Sequence, residues 1–401
     1  MRVGLLTTSF PRSATDSAGS FVLGFARALT ARGCQMHVLA PEPSQRIAPI
    51  QERDLTVTHV RYLRPRALQR TFYAAGAPEN LARDPLAWLG PLPFALSLAR
   101  HTRALRSSWD AIVSHWALPC GLIAGELREQ RPHLAVLHSA DVHALLRAPG
   151  RRLWARRIAR AANGLWFVTP GHREQFLELL DPMTRAAARA ASWATPMGIE
   201  LPELGDRSRA RQALGVTGFC ALALGRLVPI KGLDVLLRAC RGSDIQLLFA
   251  GAGPERGRLE AEARALGVRA RFLGEVSGHE KSLLLTAADT LVVPSRVLAD
   301  GRSEGVPVAM LEAMAHGLPI VASAVGGIEE VAREAGLLVP ADRPEALAAA
   351  LERAKIDLAW RVRAGARARQ IAESLAWNRV IEPALAVLTG RGRGSEISPT
   401  P

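Results

Sequence analysis

The sequence has no long uninterrupted apolar run. None of its segments reaches the roughly 20 consecutive apolar residues of a membrane-spanning helix, so we predict no transmembrane segment. The apolar part of the N-terminal stretch is also too short for a signal peptide. We therefore expect a cytoplasmic protein.

Cysteine is scarce, with four residues in a chain of 401. Cys34, Cys120, Cys220 and Cys240 form no C-x-x-C pair and lie in apolar or helical surroundings. This distribution predicts buried thiols in a reducing compartment. Because the sequence also lacks a cluster of metal-ligating residues, we expect no metal ion and no other cofactor.

Lysine and aromatic residues are few, whereas arginine is abundant. Three of the 51 cationic side chains are lysines, the aromatic fraction is 5% and the net charge is +14. Residues 1–200 contain 25 arginines and 14 acidic residues, which gives this half a net charge of +11. Such a surface favours anionic partners. A nucleic-acid-binding protein would explain the charge, but so few aromatic residues argue against a base-stacking platform.

Short apolar runs alternate with helical stretches along most of the chain. In the first half we predict strands at residues 2–8, 35–40, 56–62, 111–114, 134–137 and 165–169. The pattern then restarts, with strands predicted at residues 219–224, 245–250, 270–273, 290–293 and 318–323. Strands separated by crossover helices indicate parallel sheets. The predicted fold class is α/β, with two Rossmann-like, doubly wound domains that face a cleft.

The restart of the pattern places the domain boundary between residues 198 and 199. We predict a first domain over residues 1–198, a second over 199–388, and a disordered tail over 389–401. The last helical segment, 357–388, contains Pro383 and is too long for one uninterrupted helix.

Two carboxylates flank a predicted helix start near residue 307. Glu304 precedes the helix, Pro307 fits its first position, Gly317 ends it, and Glu312 lies about two turns inside. The unpaired N–H groups around Gly305, Val306 and Val308 would bind an anion such as a nucleotide diphosphate.

Two cations stand upstream, where the strand predicted at 219–224 ends. Arg226 follows that strand and Lys231 comes five residues later, before a helix. Ligands of doubly wound sheets bind at the carboxyl ends of strands. We therefore expect both cations to neutralise a diphosphate.

These motifs resemble those of the family-four retaining glycosyltransferases, which have the two-domain GT-B fold. In that fold the last helical segment, here 357–388, crosses back to the first domain. Glu304 and Glu312 are spaced as in the family's E-x7-E signature, and the run A-L-G-R-L-V-P-I-K-G-L-D is similar to its G-R-(x)4-K-G motif. Further matches are Pro294-Ser295, the run E-A-M-A-H-G-L-P, and Val325-Gly326-Gly327. The resemblance implies that Glu304 contacts the transferred sugar, that Glu312 binds the ribose, and that Arg226 and Lys231 stabilise the leaving diphosphate without a metal ion.

Weaker matches assign roles in the first domain. His138 stands where the family has a histidine that contacts the sugar, although Ser139 replaces the glycine of its H-G-x-D pattern. His115 and Asp141 are candidates for acceptor contact, and structural roles explain them as well. Gly19 stands where the family has a glycine pair near the donor phosphates, and an ordinary helix-entry turn is an equal explanation.

The family's nucleotide pocket is also lined by the loop that here contains Gly251 and Gly253, and by residues near Val276. The G-A-G-P sequence of this loop is half of a dinucleotide fingerprint, but Arg256 occupies the third glycine position, which argues against NAD.

The resemblance therefore implies a retaining transferase that moves a hexose from an NDP-sugar to a carbohydrate or lipid-linked oligosaccharide, in bacterial polysaccharide synthesis. An NDP-sugar hydrolase or epimerase on the same fold is the alternative.

The arginine-rich segment from Arg147 to Arg160 carries the apolar residues Leu153, Trp154 and Ile158. It is either an interfacial helix on the anionic cytoplasmic face of the inner membrane or a solvated helix packed on its own domain.

Overall fold

A computed structural model describes residues 1–391 except 14, 15, 17, 46–49, 74 and 75. Contacts divide the chain into two units. Unit 1 comprises Met1–Gly198 and Trp377–Pro401, and unit 2 comprises Ile199–Ala376. Of the tail predicted over 389–401, residues 392–401 lie outside the described part of the chain.

Unit 1 contains a seven-stranded, fully parallel sheet in the order β3-β2-β1-β4-β5-β6-β7. Its strands are β1 Arg2–Leu6, β2 Gln35–Pro41, β3 Leu55–Val60, β4 Ala111–His115, β5 His133–Leu137, β6 Gly164–Phe167 and β7 Ser192–Ala194. All residues of β4, β5 and β6 are buried. A parallel sheet is covered on both faces, which explains why its central strands are continuous apolar runs.

Helices cover this sheet and fix its crossovers. They are α1 Ser20–Thr30, α2 Ala77–Arg83, α3 Pro91–Leu105, α4 Leu122–Leu127, α5 Ser139–Arg147, α6 Arg151–Ala161, α7 Pro170–Leu177 and α8 Pro182–Ala190. Short 3-10 helices lie at Arg66–Leu68, Pro85–Leu89 and Arg106–Ser108, and a π-helical turn lies at Ala117–Gly121.

Unit 2 has a second parallel sheet, of six strands in the order β10-β9-β8-β11-β12-β13. The strands are β8 Cys220–Leu224, β9 Gln246–Ala250, β10 Ala270–Gly274, β11 Thr290–Val293, β12 Ile320–Ser323 and β13 Gly336–Val339. The helices are α9 Arg207–Leu214, α10 Leu233–Ala239, α11 Arg256–Leu266, α12 Gly278–Ala287, α13 Val308–Ala315, α14 Gly326–Ala332, α15 Pro344–Ile356 and α16 Leu358–Ser374. The predicted α/β class with two doubly wound parallel sheets is confirmed.

The helical segment over 357–388 is three helices. After α16 come α17, Trp377–Val380, and α18, Glu382–Leu388, which belong to unit 1. Trp377 packs on unit 1 so closely that a Cβ added to Gly24 or Gly198 would lie within 3 Å of its ring. The division therefore falls at Ala376, inside the segment.

Two further sequence expectations have a direct structural answer. All four cysteines are buried and unpaired, as predicted. No helix in the described part of the chain is long and apolar enough to cross a membrane.

A close backbone approach joins α16 to the end of α13 in unit 2. The approach requires Gly365, because a Cβ there would overlap the carbonyl oxygen of Gly317. Gly257 in α11 is also helical, yet a Cβ at that position has nothing within 4 Å. The two helical glycines thus differ in the space around them.

Gly365→Ala should lower the free energy of unfolding of unit 2 by about 1–3 kcal/mol, because the added methyl overpacks the helix contact. Gly257→Ala is the matched control and should be neutral or stabilising by up to about 1 kcal/mol, the helix-propensity difference. Urea denaturation followed by circular dichroism measures both. Equal effects in the two variants would contradict the packing argument.

Candidate active site

The predicted ligand-binding residues of unit 2 gather at the carboxyl edge of its sheet. Hydrogen bonds join the ends of β8, β9 and β10 there. The amide of Gly251 donates to the carbonyl of Gly274 at 2.6 Å, and the amide of Leu227 donates to the carbonyl of Ala252 at 2.8 Å. Gly251 and Gly253 are required by this contact, since a Cβ at either would overlap a backbone carbonyl of the loop after β8.

Glu304 forms an ion pair with Lys231. The distance from Lys231 Nζ to Glu304 Oε1 is 2.6 Å, and each side chain is 15% exposed. The second carboxylate oxygen accepts a hydrogen bond from the hydroxyl of Ser295, which is fully buried. Each oxygen of Glu304 therefore has one partner, and a second acceptor site on each remains for a ligand.

Glu312 has a cationic partner of its own, Lys281 on α12. Lys281 Nζ lies 2.6 Å from Glu312 Oε1, and the two side chains are 30% and 19% exposed. Lys281 was not predicted from the sequence. The scarcity of lysine was the available signal, since two of the chain's three lysines pair in the structure with the two glutamates of the E-x7-E spacing.

Helix α13 begins at Val308, so Pro307 is its N-cap and not its first residue as predicted. Gly305 and Val306 lie in the preceding loop. The amides of Gly305, Val306 and Val308 donate no hydrogen bond to any residue that the structure describes. Together with the positive end of the helix dipole, these amides form a surface suited to an anion.

Arg226 is exposed at the same edge of the sheet. Its guanidinium makes no hydrogen bond or ion pair with the described residues. Unlike Lys231, it is available to a ligand without the loss of an existing contact.

A buried ion pair holds the loops of this site together. The Asp234 carboxylate, at the start of α10, accepts hydrogen bonds of 2.9 and 3.0 Å from Arg296, which follows β11. The amide of Arg296 also donates to the carbonyl of Ile230 at 3.0 Å. Burial raises the pKa of Asp234, but the hydrogen bonds and charge of Arg296 and the charge of Arg238 outweigh it, and the net pKa is lowered.

Glycine also fixes the position of Glu304 and of the residue after Lys231. Gly232 adopts a left-handed conformation, and a Cβ there would overlap the carbonyl oxygen of Pro294. A Cβ at Gly326 would overlap the carbonyl oxygen of Glu304. Val276 lies partly exposed in the loop after β10, beside the loop of Gly251.

In unit 1, His138 and His115 form a hydrogen-bonded pair. His138 Nε2 lies 3.0 Å from His115 Nδ1, and the rings are stacked with centroids 5.2 Å apart. Burial lowers the pKa of both imidazoles, so both are neutral near pH 7. His115 is fully buried, whereas the acceptor contact expected for it requires exposure. It is placed instead to orient His138.

The second nitrogen of His115, Nε2, is buried without a partner among the described residues. A bare ring nitrogen is tolerated there more readily than an orphaned N–H donor. The arrangement favours a His115 that carries its proton on Nδ1 and donates it to His138, which leaves the proton of His138 on Nδ1.

Asp141 is buried beside this pair. Its Oδ2 accepts a hydrogen bond of 2.7 Å from the amide of Ala117, and Oδ1 has no partner in the described structure. Burial raises the pKa of Asp141 to about 7 against the opposing backbone hydrogen bonds. The contact with Ala117 agrees with a loop-shaping role, which the sequence analysis held open beside acceptor contact.

Aromatic rings surround His138, and the sequence analysis missed them. The rings of Phe21 and Trp116 lie with their centroids 5.0 Å from that of His138. Gly19, just before Phe21, adopts a left-handed conformation, and a Cβ there would lie 2.6 Å from the carbonyl oxygen of Ser9. The need for glycine at this position is thus explained within unit 1, and its expected donor role stays a prediction.

The described residues contain no group of three or more His, Cys, Asp or Glu side chains placed to hold a metal ion.

Two family models match the chain. The model described as glycosyl transferases group 1 matches residues 206–371, and the glycosyl transferase 4-like domain matches residues 18–194. A D-inositol 3-phosphate glycosyltransferase of Kineococcus radiotolerans is 28% identical over 96% of this chain and 94% of the relative. The putative teichuronic acid biosynthesis glycosyltransferase TuaC of Bacillus subtilis is 26% identical over 90% and 91%.

Solved structures share the fold. Sucrose-phosphate synthase from Thermosynechococcus elongatus has a TM-score of 0.74 and 23% identity, with 98% of both chains covered. Anabaena HepE in complex with UDP-glucose has a TM-score of 0.68 and 17% identity, with 96% of this chain and 99% of that chain covered. At these identities the likeness establishes the fold alone.

Arg296→Met should destabilise unit 2 by about 2 kcal/mol at neutral pH, because it removes two hydrogen bonds from a buried carboxylate that keeps its ion pair with Arg238. The pKa of Asp234 is lowered in the fold, so the stabilisation is present above its ordinary value of 3.8 and is lost as the pH falls through the folded value. The difference from wild type should therefore shrink in acid. Urea denaturation at neutral and acidic pH measures it.

Arg333→Met is the control for that comparison. Its partner Glu329 lies at 2.6 Å, but the two side chains are 67% and 39% exposed. A surface pair of this kind contributes about 0–1 kcal/mol. A pH-independent loss in Arg296→Met would contradict the role assigned to Asp234.

Proposed function

Since the chain belongs to the glycosyl transferases of group 1, we propose that it moves a hexose from an NDP-sugar to a carbohydrate or lipid-linked oligosaccharide, with retention of the anomeric configuration. The observation that carries this proposal is the pairing of Glu304 with Lys231 and of Glu312 with Lys281 beside the unpaired amides that precede α13. Polysaccharide synthesis is the setting that relatives such as TuaC suggest, through the pathway in its name.

The donor diphosphate would bind at the amides of Gly305, Val306 and Val308. Arg226 at the same edge of the sheet would bind it as well, since its guanidinium has no partner among the described residues. Lys231 would turn from Glu304 to the phosphate. Fixed cations beside a leaving group favour the transition state over the ground state, because negative charge on the diphosphate grows as the glycosidic bond breaks.

The two carboxylates would then take the hydroxyls of the donor. Glu304, released from Lys231, accepts hydrogen bonds from the transferred sugar, and Glu312 accepts them from the ribose. Gly251, Gly253 and Val276 line the neighbouring loops, where we place the nucleotide.

The proposed chemistry needs neither a protein nucleophile nor a metal ion. The leaving phosphate itself takes the proton of the attacking acceptor hydroxyl on the face from which it departs. For His138 of unit 1, the sugar contact that the resemblance implies stays a prediction, and His115 would orient its ring. An NDP-sugar hydrolase or epimerase would turn over without an acceptor, so the dependence of activity on acceptor separates these alternatives.

Calorimetric titration with UDP, GDP and ADP and with their hexose conjugates tests the donor class. UDP is the first to test, because HepE was solved with UDP-glucose on this fold. We expect saturable binding of one nucleotide, and binding of none of them would contradict the proposal.

Arg226→Ala should lower kcat by about 10²-fold or more, the loss typical of a removed electrostatic stabiliser. Arg241→Ala, an equally exposed arginine of unit 2, is the control and should keep wild-type turnover. Wild-type activity should persist in EDTA. Loss of activity in EDTA, with recovery when a divalent ion is added, would refute the metal-free chemistry. Near wild-type turnover in Arg226→Ala would refute the diphosphate contact.

Glu312→Ala should weaken binding of the free nucleoside diphosphate by about tenfold or more, the value of a hydrogen bond to a charged group. Glu304→Ala should leave that affinity nearly unchanged and impair transfer, because its partner is the sugar. Calorimetry with the nucleotide alone decides between them, with Glu280→Ala on the exposed face of α12 as control. Equal losses in both variants would contradict the division of roles.

A further inference from the structure

Unit 1 exposes a cluster of large apolar side chains within eleven residues. Leu86, Trp88, Leu89, Leu92 and Leu96 are 44%, 66%, 49%, 69% and 65% exposed. They are five of the thirteen large apolar side chains that are exposed in the described part of the chain. We refer to these five residues as the 86–96 surface. Such concentration marks an interaction site more often than chance exposure.

The fold of unit 1 fixes this exposure. The opposite face of α3 is buried through Phe94 and Leu98, and the ring of Phe94 packs on those of Tyr62 and Phe72 at 5.6 and 4.6 Å. The helix therefore has two apolar faces. It cannot turn to cover Leu92 and Leu96 without uncovering Phe94 and Leu98.

Cations continue the exposed face, and the carboxylate of Asp84 at its edge is paired with Arg70 at 2.8 Å. Arg100 follows Leu96 by four residues on α3, and Arg103 follows by seven, which places both on the same side of the helix. Both are exposed and make no ion pair with the described residues. Residues 85–109 contain no Asp or Glu. The exposed face thus complements an apolar layer beneath anionic groups.

We propose that the 86–96 surface, with Arg100 and Arg103, docks on the surface of an anionic lipid bilayer. Leu92, Leu96 and the ring of Trp88 enter the boundary between headgroups and acyl chains, and the two guanidinium groups bind lipid phosphates. The indole N–H of Trp88 already donates to the carbonyl of Leu81 at 2.9 Å, so the ring enters without an unpaired donor. This proposal rests on exposure and charge and not on the proposed activity.

The segment from Arg147 to Arg160, considered above as an interfacial helix, is the weaker candidate. Ile158 is fully buried in the core of unit 1, and Trp154 is half-buried against it. Arg156 and Arg157 lie 3.6 and 3.7 Å from acidic partners on their own unit. Its apolar face is used by the fold, and part of its charge is neutralised.

A second copy of the chain fits the 86–96 surface less well than a bilayer. A second copy that paired through this same surface would offer Arg100 and Arg103 no acidic partner from its own residues 85–109. An anionic bilayer accepts the same charges favourably.

Sedimentation of the full chain with vesicles of phosphatidylcholine, with and without phosphatidylglycerol, tests the proposal. Wild type should bind the anionic vesicles and lose most of that binding at high salt. Leu92→Ser/Leu96→Ser should lower the apparent partition coefficient by about tenfold or more. The control Leu358→Ser/Val362→Ser changes two residues of α16 with the same spacing and 62% and 64% exposure, and should bind like wild type.

A second pair of variants tests the charges. Arg100→Gln/Arg103→Gln should lose the preference for phosphatidylglycerol, whereas Arg152→Gln/Arg156→Gln on α6 should keep it. The reverse result would overturn the proposal in favour of α6. Vesicle binding by Leu92→Ser/Leu96→Ser at the wild-type level would also overturn the proposal. So would a gel filtration result, without lipid, in which the wild type is a dimer and this variant is a monomer. Thermal melting confirms that each variant is folded.

Discussion

The ion pair between Lys231 and Glu304 is the contact on which the arrangement of the candidate site depends. It joins the loop after β8 to the loop after β11, although the two residues are far apart in sequence. Charges that are 15% exposed are costly unless they are paired. The pair forms because Gly232 and Gly326 let backbone carbonyls approach, and because Asp234 and Arg296 tie the same two loops together beneath it. A change in any of these residues would act on Glu304 through the backbone.

Much of the fold was predictable from the sequence, because the central strands of parallel sheets are buried apolar runs. The strands missed were β7, Ser192–Ala194, and β13, Gly336–Val339, the last strand of each sheet. Both are short and largely half-buried, so neither gives a continuous apolar run. The return of the chain from unit 2 to unit 1 was implied by the resemblance to the GT-B fold. The residue after which it occurs, Ala376, was not predictable, since it depends on the packing of Trp377 beside Gly24 and Gly198.

The candidate site was predictable where chemistry imposes a spacing along the chain. Arg226, Lys231, Glu304 and Glu312 are such residues. Lys281 was missed because its link to Glu312 is made between two helices, and Arg296 because its partner Asp234 lies on α10, distant in sequence. The burial of His115 likewise depends on tertiary packing, because the sequence pattern of a histidine at the end of a strand is the same for an exposed and a buried ring.

Each of the two lysine–glutamate pairs is neutral as a pair, whereas Arg226 at the same site has no counter-anion among the described residues. Each lysine already has a counter-anion that belongs to the protein, so the arrival of a diphosphate is an exchange of one anion for another. The displaced carboxylates would then accept hydrogen bonds from the hydroxyl groups of the ligand. Phosphate alone would bring no hydroxyl group to replace the lost ion pairs, and Glu304 would keep only the hydrogen bond from Ser295. Under the proposed function, the counter-ions themselves would therefore favour a nucleotide sugar over a simple inorganic anion.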